Sequence, residues 1–385
     1  MRVLAVTTWL PTESHPSTGA FVVKDARAIA GLGHDVALVH LVDPALLGPG
    51  EPLRTELGGL PVTRIPMAPG NPAQAAVTGR AVRRLAAGAD LVHSMAFPTL
   101  LAMAWWRPAA PWVHTEHWSG LTAPQTLPTP MRLALPGLRP LLARPDVVTA
   151  VCDYLAEPVR RVRGGAPTVV VPCIVPVPDP LVPRPEPGER LRLVDVGALV
   201  PRKDPVTAVD TLAELRRRGR MASLRLVGQG PLAGEVTRRA RTLGVAEHVR
   251  LAGTLDREGV LAELGAADVF LGPTLGDNFF VACAEALAAG RPVVVGATGG
   301  QGEYIRERTG RTVDEQTPTA YADAVEEVLR ASAGLSAGDI SATVGPPFSA
   351  DRVAAGYQAA YDLAVRQRRR RATRDAGQHR RGSGS

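Results

Sequence analysis

Short β-branched segments alternate with longer amphipathic ones along almost the whole chain, and prolines interrupt the alternation once. In the first half, strands are predicted at Arg2–Thr7, Asp35–Leu41, Val62–Ile65, Leu91–His93, Trp112–Thr115, Val147–Ala150 and Thr168–Val171. Helical stretches such as Phe21–Leu32, Ala73–Ala87, Met131–Ala143 and Asp153–Val162 fall between most of them. The alternation restarts at Leu191–Val196 and continues through Ser223–Val227, His248–Leu251, Val269–Leu271 and Pro292–Val295. Such a pattern builds parallel sheets covered by helices on both faces. Between the two runs lies Val171–Arg190, whose seven prolines exclude regular structure and make an extended, semi-rigid connector. A chain of 385 residues has length enough for two cores. The expected architecture is therefore α/β with two Rossmann-like domains. They comprise residues 1–175 and 191–350, joined by a linker at 176–190. A terminal helix at 351–366 is expected to pack back onto the first domain, with a basic, disordered tail at 367–385. Two doubly wound domains in tandem imply a cleft, with ligands at the carboxyl ends of the strands.

The net charge of +7 belongs to the tail. From Arg366 to Ser385 there are eight Arg and one Asp, and the remaining body is balanced at 36 basic and 36 acidic residues. A solvated end explains this cluster. A weak peripheral contact with anionic membrane is the functional alternative, since each charge near such a surface gains about 1 kcal/mol. Nucleic acid is not an expected partner, because no basic stripe with interleaved aromatics runs through the body. No apolar run is long enough to cross a bilayer, and the first residues lack the tripartite order of a signal peptide. Three cysteines without metal or redox spacing cannot pair fully, which fits a cytoplasmic setting.

The chain has 42 Arg but only two Lys, Lys24 and Lys203, and only two Asn, Asn71 and Asn278. A Lys kept in so Arg-rich a sequence suggests a need for a compact ammonium rather than a planar guanidinium. Lys203 lies in Val196–Pro205, where a strand ends, Gly197 turns the chain, and Arg202 and Lys203 precede a helix capped by Asp204. Two fixed cations at a strand end suit a diphosphate, and a solvated basic loop is the bland alternative. Next, Leu226–Val236 reads as strand, Gly228-Gln229-Gly230-Pro231, then helix. Its glycines allow close approach to a ligand, although a plain tight turn accounts for them equally well. The segment Ala267–Val295 carries a buried strand, a loop, and a helix expected to start near Asn278. That start would offer the backbone N–H groups of Asn278, Phe279 and Phe280 to an anion. Asp277 is either part of such a site or an N-cap. Glu285 stands eight residues on in an otherwise apolar helix, where a carboxylate needs a partner such as ribose hydroxyls. Gly299 and Gly300 open a further strand–glycine–helix unit.

In order and spacing these segments resemble the retaining glycosyltransferases of family 4, glycosyl transferases group 1, which have the GT-B fold. That signature runs from a Gly-Arg-x-x-x-x-Lys segment to Gly-x-Gly-Pro. It continues through Pro-Ser-x-x-Glu-Gly-Phe-Gly, a second Glu eight residues later, and Gly-x-Pro-Val-Val. Here the last part reads Pro273 to Phe280, with Glu285, Gly290, Pro292, Val293 and Val294 in place. The resemblance covers nearly the whole chain. It implies that Lys203 and Arg202 hold a donor diphosphate and that Glu285 binds its ribose. Asp277 and the backbone of Asn278–Phe280 would hold the transferred sugar, with Thr254 and Leu255 beside the base. It further implies a metal-independent transfer from a nucleotide-diphosphate sugar to an acceptor hydroxyl, with no cofactor. Three departures stand out: Ala198 for the usual Arg, Asp277 for Glu, and Asn278 and Phe280 for two glycines. Ala198 and Asp277 motivate one rival, an inactive nucleotide-sugar-binding partner subunit; a sugar-nucleotide epimerase of similar GT-B architecture is a second.

In the first half, a long loop after the first strand holds His15, Thr18 and Gly19, and Gly19 opens a helix onto a phosphate or acceptor. Lys24 one turn later reads most simply as a solvated helix position. His93, His114, Glu116 and His117 gather at consecutive strand ends, followed by Trp118. By the resemblance, His117 matches the family's histidine beside the reacting sugar. Glu116 is the runner-up polar group, and Trp118 either stacks on an acceptor or covers the core.

Overall fold

The computed structural model describes residues 1–15, 18–68, 71–185 and 188–382. The chain forms two compact units, Met1–Ile174 with Ala350–Ser385, and Val175–Ser349. Among the described residues no helix is long and apolar enough to cross a membrane.

The first unit holds β1 (Arg2–Thr7), β2 (Asp35–Val42), β3 (Arg54–Leu57), β4 (Leu60–Pro66), β5 (Leu91–Met95), β6 (Trp112–Glu116), β7 (Val147–Ala150) and β8 (Thr168–Val170). Their order in the sheet is β3-β4-β2-β1-β5-β6-β7-β8. Strand β3 pairs antiparallel with β4, and β1 pairs parallel with both β2 and β5. Reversal of strand order at β1 and β5 makes their carboxyl ends this unit's switch point.

The C-terminal helix Ala350–Gly382 completes this unit's core. Val353, Tyr357, Ala360, Tyr361 and Ala364 recur at helical spacing and are all fully buried in it. The Tyr357 hydroxyl donates to Asp25 Oδ2 at 2.9 Å, and the His34 ring meets Gln358 Oε1 at 2.8 Å. The helix continues past Arg366 to Gly382, which corrects the expected disordered tail; residues 383–385 lie outside the described residues. Arg, Gln and Ala in this stretch are good helix formers. Two of its arginines also find acceptors: Arg368 donates to the Pro108 carbonyl at 3.1 Å, and Arg371 lies 3.4 Å from buried Asp146.

The second unit holds β9 (Arg190–Val196), β10 (Met221–Val227), β11 (Val249–Gly253), β12 (Val269–Gly272), β13 (Val293–Gly296) and β14 (Gly310–Val313). Their order, β11-β10-β9-β12-β13-β14, is 3-2-1-4-5-6 when counted from β9. This is the Rossmann order, and its switch point lies between β9 and β12. The proline-rich stretch is clamped to this unit. Its prolines lack N–H groups, and Arg291, fully buried, donates to the carbonyls of Val182 at 3.2 Å and Pro183 at 2.9 Å. Arg184 in turn donates to the Ser332 carbonyl at 2.7 Å and the Leu335 carbonyl at 2.9 Å. Glu186 and Pro187 of the linker lie outside the described residues.

Asp25 supplies a pH signature of the first unit. Burial pushes its carboxyl up from 3.8 to about 7, against the Tyr357 hydrogen bond and the Lys24 charge, which pull it down. Between about pH 4 and 7 the native state keeps a proton that the unfolded chain releases. The stability Asp25 contributes is therefore full at low pH and is lost as pH rises through that window. Asp25→Asn keeps an acceptor for Tyr357 and cannot ionise. Chemical denaturation at a series of pH values should find it more stable than the parent at pH 8, on the order of 2–4 kcal/mol, and equal to it near pH 4. Parallel pH profiles for the two proteins would show that Asp25 is ionised in the native state.

Candidate functional site

The carboxyl ends of β9 and β12 are stitched together by backbone before any side chain acts. After β9, Gly197 turns the chain, and a short helical turn at Pro201–Lys203 carries both cations. Asp204, in the left-handed region at φ 47°, starts the helix Pro205–Arg217 and accepts from the Thr207 N–H at 3.3 Å and its hydroxyl at 2.7 Å. The Leu275 N–H donates to the Arg202 carbonyl at 2.9 Å, and the Thr274 hydroxyl donates to the same oxygen at 3.2 Å. Arg202 then faces the loop after β12, where one guanidinium nitrogen donates to the Gly276 carbonyl at 2.7 Å and to Asp277 Oδ2 at 2.8 Å.

Lys203 Nζ donates to the same carboxylate oxygen at 2.6 Å, and Asp277 Oδ1 accepts from the Phe280 N–H at 3.1 Å. Burial works to raise the Asp277 carboxyl, but the charges and hydrogen bonds of Lys203 and Arg202 outweigh it. The group is held well below the usual carboxylate range. The three side chains leave one net positive charge at the switch point, and each is half-buried rather than sealed. Asp195, at the penultimate position of β9, was not singled out in the sequence. Burial raises it to about 7, with the Lys203 charge opposing. Its signal was a lone acid in a buried strand.

The loop before Glu285 differs from expectation. The helix spans Val281–Ala288, and Phe280 precedes it in the left-handed region at φ 55°. Asp277 and Glu285 therefore do not share a helix; Glu285 sits half-buried on its second turn. The Phe280 N–H is already bound to Asp277, so Asn278–Phe280 do not form the open row of helix-start donors that the sequence suggested. Asn278, Phe279 and Phe280 are buried. The Tyr304 hydroxyl, absent from the sequence reading, donates to the Phe279 carbonyl at 2.8 Å and the Phe280 carbonyl at 3.0 Å. The loop after β13 closes on the same segment: Asp277 N–H donates to the Thr298 carbonyl at 3.2 Å, and Gly300 N–H to the Asn278 carbonyl at 2.9 Å.

Gly197 follows the carboxyl end of β9, and Gly228 and Gly230 follow that of β10. A Cβ on Gly228, at φ 138°, would collide with the Gly197 carbonyl, and one on Gly230 with the Leu199 backbone. At both positions the packing of one loop on another already demands a glycine. Gly197 differs: a Cβ there would meet only the Lys203 side chain, at 3.8 Å. Gly228 N–H donates to the Gly253 carbonyl at 2.8 Å, which sets exposed Thr254 and half-buried Leu255 just past the carboxyl end of β11.

In the first unit most of the histidine cluster is structural. His93 is fully buried, with Nδ1 2.8 Å from the Tyr361 hydroxyl and Nε2 2.5 Å from Thr115 Oγ1. His114 bridges Ser94 Oγ at 2.9 Å and Glu116 Oε2 at 3.3 Å. Glu116 is spent on the turn after β6, where Oε1 accepts from the N–H groups of His117 at 2.9 Å and Trp118 at 2.7 Å. This turn places His117 beside Phe21, with ring centroids 4.7 Å apart. Burial, reinforced by neighbouring His114, lowers His117 to about 3, so its imidazole is neutral at pH 7. Trp118 stacks on Phe97 at 5.3 Å. Gly19, at φ 67°, starts the helix Ala20–Gly31, and a Cβ there would strike the Trp9 carbonyl, so its smallness serves the turn. Lys24 lies on that helix, next to Asp25.

Comparison with known proteins gives concordant results for the two units. Residues 190–331 match the model of glycosyl transferases group 1, and residues 18–174 match that of the glycosyl transferase 4-like domain. Together the two matches take in well over half of the chain. A GDP-mannose-dependent alpha-(1-6)-phosphatidylinositol monomannoside mannosyltransferase of Mycobacterium tuberculosis is 34% identical over 219 residues, 51% of this chain and 56% of that protein. A D-inositol 3-phosphate glycosyltransferase of Jonesia denitrificans is 28% identical over 62% of this chain and 63% of its own. The chain thus spans a little over half the length of the curated relatives it matches. Among solved structures, the lipopolysaccharide outer core galactosyltransferase WaaB aligns at a TM-score of 0.74 and 13% identity, over 94% of this chain and 99% of its own. The fold is GT-B.

The glycine geometry makes a stability prediction that separates packing from ligand approach. Gly228→Ala and Gly230→Ala should each lower stability by about 2 kcal/mol or more in thermal unfolding, because the added methyl meets backbone that cannot step aside. Gly197→Ala should stay within about 1 kcal/mol of the parent. Equal losses at all three positions would contradict the assignment.

Proposed function

Since the chain belongs to the glycosyltransferases of family 4, glycosyl transferases group 1, we propose that it moves a sugar from a nucleotide-diphosphate sugar to an acceptor hydroxyl, with retention at the anomeric carbon. The observation that carries this reading is the meeting of Lys203, Arg202 and Asp277 at the β9–β12 switch point.

Lys203 has three N–H donors, and Asp277 takes one. The others, with the outer edge of the Arg202 guanidinium, hold the diphosphate. As the anomeric C–O bond breaks, negative charge grows on the departing phosphate. Fixed cations in a half-buried site stabilise that charge without reorganising. No metal is needed for this step. The acceptor oxygen attacks the anomeric carbon from the face the nucleotide leaves, and its proton passes to the departing phosphate oxygen. Asp277 and the backbone of Asn278 and Phe279 hold sugar hydroxyls, Glu285 holds the ribose, and Thr254 and Leu255 lie at the base. His117 is a neutral imidazole, so it serves as a hydrogen-bonding partner for a donor hydroxyl and not as an acid. GDP-mannose is the favoured donor and an inositol-bearing glycolipid the favoured acceptor, on the names of the relatives. The reaction belongs in the cytoplasm, where nucleotide sugars are available.

Calorimetric titration with nucleoside diphosphates should find one that binds in the micromolar range. Lys203→Ala should weaken it by about 1.5–3 kcal/mol. An unchanged affinity removes Lys203 from the diphosphate site. With labelled GDP-mannose and inositol-containing acceptors, release of GDP should be the same with and without EDTA. Tight binding with no turnover on any acceptor would instead identify a nucleotide-sugar-binding partner subunit.

A further inference from the structure

Phe280 departs most from the small residue its family places at that position, and its geometry is unusual in two ways. Its φ of 55° lies in the left-handed region, which a bulky side chain occupies only when its surroundings over-determine it. Its ring is 1% exposed yet lies directly beneath a charge: Lys203 Nζ stands 3.6 Å from the ring centroid. The ring is wedged from below. A Cβ on Gly272 would come within 2.8 Å of its tip, and Phe270 meets it edge-on at 5.7 Å. Its backbone is fixed at both ends, the N–H on Asp277 Oδ1 at 3.1 Å and the carbonyl on the Tyr304 hydroxyl at 3.0 Å.

We propose that Phe280 is a positioning residue for the diphosphate-binding ammonium, acting through Lys203. This rests on the diphosphate role given to Lys203 above. The negative face of the ring attracts the ammonium and keeps water from its underside. The Phe280 N–H meanwhile holds Asp277, the ammonium's other partner, so one residue fixes Lys203 from two directions. The remaining N–H groups of Lys203 are then turned toward the donor and lose little freedom when it binds. A glycine here would accept the backbone angle more easily but would supply no floor. The strained Phe therefore fits a role in holding Lys203 better than a role in the turn alone.

The decisive experiment varies the charge on the ring face while keeping its shape. Full-length protein carrying 4-fluoro-, 3,5-difluoro- or 3,4,5-trifluorophenylalanine at position 280 would be titrated with the nucleoside diphosphate that binds the parent. Affinity should fall stepwise with fluorination, by roughly 3- to 10-fold across the series. The same series in a Lys203→Ala background should show no gradation. A ring that only fills space gives a flat series in both backgrounds, which overturns the proposal while leaving Lys203 at the diphosphate. If Lys203→Ala alone leaves affinity unchanged, the diphosphate role fails and this proposal fails with it. Phe280→Gly supplies a check that does not depend on fluorinated side chains: it relieves the backbone angle and should fold, yet bind more weakly. Parent-like affinity in that variant would count against the proposal.

Discussion

One carboxylate organises the loops at the carboxyl ends of β9 and β12. Asp277 draws Arg202 and Lys203 across from the neighbouring strand end and binds the N–H of Phe280 with its other oxygen. Without it, two cations would face each other in a half-buried pocket, which is costly. Without the cations, the carboxylate would carry the same penalty. The cluster is thus self-consistent in the absence of ligand and still keeps a net positive charge for an anionic one. On the function proposed above, a diphosphate arriving there would add to an existing network and need not assemble one, which is the sense in which such a site would be preorganised.

That network exists because of topology. In the 3-2-1-4-5-6 order, β9 and β12 are neighbours whose crossovers leave in opposite directions, so the loops at their carboxyl ends are not filled by a crossing helix. The strands beneath are buried on both faces, with Leu193, Leu226, Leu271 and Val294 in one core. That rigidity lets a distance of 2.6 Å between Lys203 and Asp277 be maintained at the rim. The glycines at 228 and 230 serve the same end by letting the next loop lie flat against Gly197 and Leu199.

Much of the scaffold was legible in the sequence. β1 and β7 were predicted at their observed bounds, and most other strands within a residue or two, because buried β-branched runs between amphipathic helices have few alternative readings. Strands β3 and β14 were missed. Each has four residues, and their charged or half-exposed side chains give no apolar run to detect. The C-terminal helix was ended too early because an arginine run reads as solvated, whereas Arg368 and Arg371 find acceptors distant in sequence. In the site, Lys203, Arg202 and Asp277 stood out from residue usage and spacing. The turn that delays the helix to Val281 did not, since a left-handed Phe is contrary to local preference.

By itself, the amino-acid sequence determined the class of fold, the presence of two domains, and the loops that carry polar chemistry, because periodicity and proline placement are local properties that survive any packing. Tertiary structure decided which polar residues are spent and which are left over. His93, His114 and Glu116 looked like candidates in a line of text, but their hydrogen bonds are consumed by Tyr361, Ser94 and the turn after β6. Lys203 and Arg202 looked like a bare cation pair and instead share Asp277, over 70 residues away in the chain. A side chain's chemistry is fixed by its type, but its availability depends on neighbours that only the folded chain brings within hydrogen-bond reach.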